Sequence, residues 1–207
     1  MSQLVYTIGH STHSVDRLIE LLGLHRVTAI CDVRSTPYSR INPQFNREDL
    51  KLALRSFGIA YVFLGKELGA RSDDPSCYED GKVQYDRIAR TTAFQSGIKR
   101  VQEGARDYRI ALMCAEKEPL ECHRTILVAR HLVNAEVEIA HIHANGSVEN
   151  HVDALVRLAC MHNLRESEHH MFRSRDALFN DAYRLQEERI AYNLDYADHR
   201  TVERRVG

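Results

Sequence analysis

No apolar stretch in this chain approaches the roughly 20 residues that a membrane-spanning helix needs, so no membrane partner is expected. The opening residues MSQLVYTIGHS lack a basic segment followed by an apolar one, and no secretory leader is expected either. Net charge is nearly absent: 28 Lys and Arg stand against 29 Asp and Glu. That balance excludes a broad electrostatic grip on nucleic acid or acidic lipid, although recognition of a single nucleic-acid end or nucleotide stays open. Disulfide scaffolding is excluded by number and size, because the five cysteines are odd in count and spread over 207 residues. Reduced thiols and a cytoplasmic location are the expectation. Repeats and low-complexity tracts are missing as well.

What is present is an alternation of short β-branched runs with helical periodicity. Residues 4–8 read as a buried strand, and Ser14 then caps a helix in which Val15, Leu18, Ile19 and Leu22 share one face. Further strands are expected at residues 27–33, 60–64, 109–114 and 137–142, with helices at 46–57, 85–103 and 119–133 between them. The polar stretch 65–82 is longer than most connections and suggests a lid or binding loop. This alternation predicts an α/β fold: a mostly parallel five-stranded sheet with right-handed crossovers and helices on both faces. Residues 1–145 are expected to form that domain. Residues 146–207 form a helical extension packed on it, with Val148, Val152, Leu155, Val156 and Ala159 as one apolar stripe. Cys160 is expected beside that stripe in the core, Cys77 as an incidental loop residue, and His162, His169 and His170 as solvated surface.

Ligands of such sheets bind outside the carboxyl ends of the strands, and the unusual residues of this chain collect there. They are Gly9-His10-Ser11, then Asp32-Val33-Arg34-Ser35 with Tyr38 and Arg40, then Lys66, then Cys114-Ala115-Glu116 and Cys122-His123-Arg124. The opposite strand ends carry nothing comparable. The TIGHS start, the DVRSTPYSR stretch, the LGKELGA turn and the CAEKEPLECHR segment, in this order, resemble the DUF488 family, domain of unknown function 488. The LFNDAYRLQEERIAY stretch is similar to the tail of longer members. The resemblance covers most of the chain and implies a Rossmann-like, three-layer α/β fold. It carries no activity over.

Each constellation has two readings. A cysteine at a strand end facing a helix start has the layout that lowers a thiol pKa. Cys114 or Cys122, the latter expected in the first helical turn, is therefore a candidate nucleophile, with His10, Glu116 or Asp32 handling protons. The intervening AEKEPLE loop has three glutamates and no glycine, so it does not cradle phosphate as a Cys-dependent phosphatase loop does. The bland reading makes Cys114 a buried strand-end thiol. Alternatively, Cys114 and Cys122 join His10, His123 or His141 around a metal ion. Against that, adjacent helical residues point about 100° apart, which makes joint ligation by Cys122 and His123 awkward. The acid-free segment 34–47 suits anion binding through Arg34, Ser35, Tyr38 and Arg40, helped by Lys66, His123 and Arg124. Its bland reading pairs the arginines with Asp32, Glu67 or Glu116. An enzyme acting on a small anionic or nucleotide-like substrate is the leading expectation, a metal-binding protein or a non-catalytic binding module the alternatives. The cofactor, the substrate and the oligomeric state stay open.

Overall fold

The computed structural model describes residues 3–164 and 174–194; His169 and His170 lie outside the described residues. Strand β1 (Gln3–Gly9) leads into helix α1 (Val15–Leu24), whose start is set by Ser14 accepting the Arg17 amide. Strand β2 (Ala29–Asp32), helix α2 (Arg47–Arg55) and strand β3 (Ala60–Phe63) follow. The polar stretch beyond is structured. It holds a short helix α3 (Gly65–Leu68) and a hairpin of β4 (Tyr78–Glu79) and β5 (Lys82–Val83), turned through Asp80 and Gly81 at positive φ. Helices α4 (Tyr85–Arg90) and α5 (Thr92–Gly104) divide the single helix expected there, because Thr91 is extended and caps α5 through the Phe94 amide.

Strand β6 (Ile110–Cys114) is followed by a 3-10 turn (Pro119–Glu121) and a π-helical segment (Arg124–Ala129) that passes into α6 (Arg130–Val133). The chain closes with β7 (Val137–Ile142), β8 (Val148–Asn150), α7 (His151–Met161) and α8 (Arg175–Ile190). The main sheet has the order β3-β2-β6-β1-β7-β8, with the first five strands parallel and β8 antiparallel to β7. It therefore has six strands, not five. Val148 belongs to β8 rather than to a helical stripe, because a turn through Gly146 at positive φ returns the chain to β7 and Asn150 then caps α7.

The buried face of α7 is His151, Ala154, Leu155, Leu158 and Ala159, and Val152 and Val156 stay largely exposed. Cys160, expected in the core, and Cys77, expected as an incidental loop residue, are exchanged. Cys160 is exposed on α7, whereas Cys77 is buried where the hairpin packs on the core.

Alternation along each strand builds a core on either side of the sheet. Ile30 and Met113 face one side with Leu18, Leu21 and Leu22 of α1 and Leu50 and Leu54 of α2. Cys31 and Leu112 face the other with Phe94 and Val101 of α5, Ile126, Leu158 and Tyr183. The connections leaving β1 and β2 thus run over one face, and those leaving β3 and β6 over the other. The strand order switches between β2 and β6, and a crevice opens at their carboxyl ends.

A buried polar chain ties the extension to the sheet. Thr7 Oγ1 lies 2.8 Å from His141 Nδ1, His141 Nε2 3.0 Å from His151 Nδ1, and His151 Nε2 2.7 Å from the Tyr183 hydroxyl. It crosses β1, β7, α7 and α8. Burial lowers His141 to about 2 and His151 to about 4, so both rings are neutral in the native state. As pH falls from 6.5 toward 4, the unfolded chain takes up protons that the native rings refuse. The contribution of these rings is full above pH 6.5 and is lost progressively as pH falls, the His151 share being gone by about 4, at roughly 1.4 kcal/mol per pKa unit. Melting temperature should fall between about pH 7 and about pH 4.5, and fall less in His151→Asn. An equal fall in both proteins would remove this ring as a source of acid sensitivity.

Candidate functional site

The pairing of β1 and β6 continues past both strand ends, with the His10 and Ser11 amides donating to the Cys114 and Ala115 carbonyls at 2.9 Å each. Gly9 sits so close under the Glu116 carbonyl that a Cβ has no room there, which folds the segment after β6 down over β1. Arg124 holds that turn from inside. It is fully buried and donates from Nη1 to the Glu116 carbonyl (2.6 Å) and from Nη2 to the Lys117 carbonyl (3.3 Å). Its guanidinium therefore serves the backbone instead of reaching for a ligand. Of the three glutamates in this loop, Glu118 is taken by Arg157 at 2.8 Å, while Glu116 and Glu121 face the crevice.

Cys122 is not in a helix. The 3-10 turn at Pro119–Glu121 closes on its own, leaving Cys122 extended (φ −138°, ψ 140°) with the helical segment starting beyond it. The helical separation of Cys122 and His123 consequently does not apply, and both side chains converge on Cys114. One donor atom each from Cys114, Glu116, Cys122 and His123 lies within 4.8 Å of the others. His123 Nε2 donates to the Val33 carbonyl at 2.9 Å, which turns Nδ1 toward the thiols, 3.8 Å from both sulfurs. Burial opposes a charge on the ring, but Cys122, Glu116 and the Val33 carbonyl outweigh it and raise its pKa. His10 is not part of this group. It is buried, bonded through Nδ1 to the Ser11 carbonyl, 3.2 Å from Arg34 Nη1 and stacked on Phe45. Burial lowers it to about 4. His141 likewise is committed to the Thr7–His151 chain.

The charges in the cluster are coupled. Burial and the hydrogen bond with Cys122 push the Cys114 thiol well above the ordinary range. Burial works against a Cys122 thiolate, but the Cys114 hydrogen bond, the Arg124 guanidinium and His123 together hold Cys122 well below that range. The Arg124 amide also reaches the Cys122 sulfur at 3.4 Å. Glu116 is raised by burial and by the neighbouring sulfur, and its Oε2 lies 3.0 Å from Cys122 Sγ, so the two share one proton.

These groups line one wall of a cleft of about 230 Å³. Arg34, Ser35, Thr36 and Arg71 stand in the same cleft, and Ile190 and Tyr192 at the end of α8 close one side. Arg34 is itself almost fully engaged. Its Nε and Nη2 grip Asp32 at 2.9 and 2.6 Å, and Nη2 also donates to the Phe45 carbonyl. Tyr61 donates to the same Asp32 carboxylate at 2.6 Å. Thus Asp32 orients Arg34, and a single Nη1 N–H is left without a partner among the described residues. Tyr38, Arg40 and Lys66 do not line the cleft. Beyond Pro37 the loop folds on itself through Ser39 and Asn46 and carries Tyr38 and Arg40 outward, and Lys66 is exposed on α3. Thr36, Arg71, Tyr85, Glu121 and Tyr192 were not singled out from the sequence. For Arg71 a signal existed, since it lies in the long polar stretch that already suggested a binding loop.

The fold and the cleft together define an open α/β domain with a thiol-bearing pocket at its switch in strand order. Residues 14–131, more than half of the chain, match the family described as Domain of unknown function DUF488, and the chain belongs to that family. The matched span holds Asp32, Arg34, Cys114, Glu116, Cys122 and His123, while Ile190 and Tyr192 lie beyond it. No curated protein and no solved structure matches the chain.

Removing one partner of a buried ion pair strands the other's charge. Asp32→Ala should therefore cost roughly 3–5 kcal/mol in urea denaturation. A loss below about 1 kcal/mol would show that the pair does not hold this strand end together.

Proposed function

We propose that this protein is an enzyme that holds a thiophilic divalent metal ion, zinc in the first instance, on Cys114, Cys122 and His123, and acts on a small anionic substrate in the cleft. The observation that carries this reading is the position of His123 Nδ1, 3.8 Å from each of two sulfurs while Nε2 donates to Val33. Metal-ligating histidines ordinarily donate their second N–H to a carbonyl or carboxylate in this way. Zinc bonds of about 2.3 Å to sulfur and 2.0 Å to nitrogen at a tetrahedral angle put S and N about 3.5 Å apart, so the cluster needs little adjustment. Two thiolates and an imidazole favour zinc over magnesium or calcium.

The burial pattern supports an open coordination position. Structural zinc sites are closed by four protein ligands, and catalytic ones keep one position for water or substrate. Here Cys114, Cys122 and His123 are buried and Glu116 is exposed to the cleft. The ion would supply Lewis acidity and a water acidified toward neutral pH. Glu116 beside it is the proton acceptor, and Arg124, through the Glu116 carbonyl, positions it. The Rossmann-like description belongs with this reading, since sheets of that kind take ligands at the switch in strand order. A reducing cytoplasm suits a site built on two thiols.

A second reading takes Cys122 as a nucleophile, supported by the Arg124 amide on its sulfur. One set of measurements separates the two. Protein purified without chelator should contain stoichiometric metal by elemental analysis. The reduced metal-free protein should develop sulfur-to-metal charge-transfer absorption on adding Co²⁺, and Cys122→Ser should lose both. Absence of metal and of the cobalt bands would overturn the metal reading. Rapid alkylation of Cys122 near neutral pH would then carry the nucleophile reading.

A further inference from the structure

Arg71 is a cation that the fold does not neutralise. Its backbone amide donates to Ser35 Oγ at 3.0 Å, and its guanidinium lies over the Tyr192 ring, 4.4 Å from the centroid. No carboxylate among the described residues forms an ion pair with it, whereas Arg34 is cancelled by Asp32 and Arg100 by Glu67. Stacking on an aromatic face holds a guanidinium in place while leaving its N–H edge free. Arg71 lines the same cleft as Cys114, Cys122 and His123.

The remaining lining limits what the guanidinium can receive. Glu121 in the same cleft disfavours a doubly charged phosphate, and a cleft of about 230 Å³ is smaller than the roughly 300–1,000 Å³ that drug-sized ligands occupy. A compact ligand of low charge therefore suits the cleft better than a nucleotide. A planar monoanion of few atoms fits, and the fork of an arginine matches a carboxylate in two bonds.

We infer that the ligand of this cleft is a small organic carboxylate, gripped by Arg71 with the Ser35 and Thr36 hydroxyls beside it and its other end turned toward the cysteine–histidine cluster. The inference rests on the metal reading only for what happens at that other end. Arg71 sets which molecule enters, and Tyr192 holds Arg71.

Calorimetric titration of acetate, propionate and inorganic phosphate into zinc-treated wild-type protein, Arg71→Met and Glu121→Gln tests it. Arg71→Met is expected to melt with the wild type, because the side chain is exposed. Propionate or acetate should bind the wild type in preference to phosphate, about tenfold or more weakly to Arg71→Met, and more tightly to Glu121→Gln. Equal carboxylate binding by wild type and Arg71→Met, a preference for phosphate, or zinc-loaded protein that binds no carboxylate would overturn the inference. Arg71-dependent carboxylate binding by protein that takes up no zinc would sustain the subsite and remove the metal reading alone.

Discussion

A carboxylate with no solvent exposure costs several kcal/mol unless its charge is met at once, and Asp32 is such a group. Arg34, two residues on, meets it with two bonds in the fork geometry that suits a carboxylate. Tyr61 on β3 adds a third bond, and the pair reaches β1 through His10 and the preceding loop through the Phe45 carbonyl. The residue between the two charges, Val33, presents its carbonyl to His123. One buried ion pair thus ties together three strands, β1, β2 and β3, next to the carbonyl that orients the His123 ring.

The cluster is the second consequence of the same geometry. Its sulfurs come from the end of β6 and from an extended residue ahead of a π-helical segment, a form that recurs at functional sites. Arg124 lies beneath both, bonded to the carbonyls that aim Glu116. The Arg124 guanidinium and the His123 ring, whose own pKa is raised by the neighbouring sulfur, together favour a thiolate at Cys122 in a buried place.

Much of the fold was legible because hydrophobic periodicity reports it directly. The five parallel strands, the Ser14 cap and the concentration of polar residues at one sheet edge follow from residue pattern alone. The sixth strand did not, since three residues ending in a cap resemble the start of a helix until the pairing with β7 is known. The same limit exchanged Cys77 and Cys160: burial depends on which element packs above a residue, and neighbours in sequence do not say.

The residue types of the site were also legible, but their partnerships were not. Sequence singled out Cys114, Cys122, His123, Glu116, Asp32 and Arg34, all of which gather at the β2–β6 crevice, together with Tyr38, Arg40 and Lys66, which point elsewhere. By itself the sequence determined the α/β alternation, the family and the sheet edge at which the thiols and the unusual polar residues gather, because these depend on local pattern. Only the tertiary structure decided that His123 and not His10 faces the sulfurs, that Arg34 belongs to Asp32, and that Arg71 and Tyr192 complete the cleft. Those are contacts between distant segments, set by the strand order and by the need to satisfy buried charge.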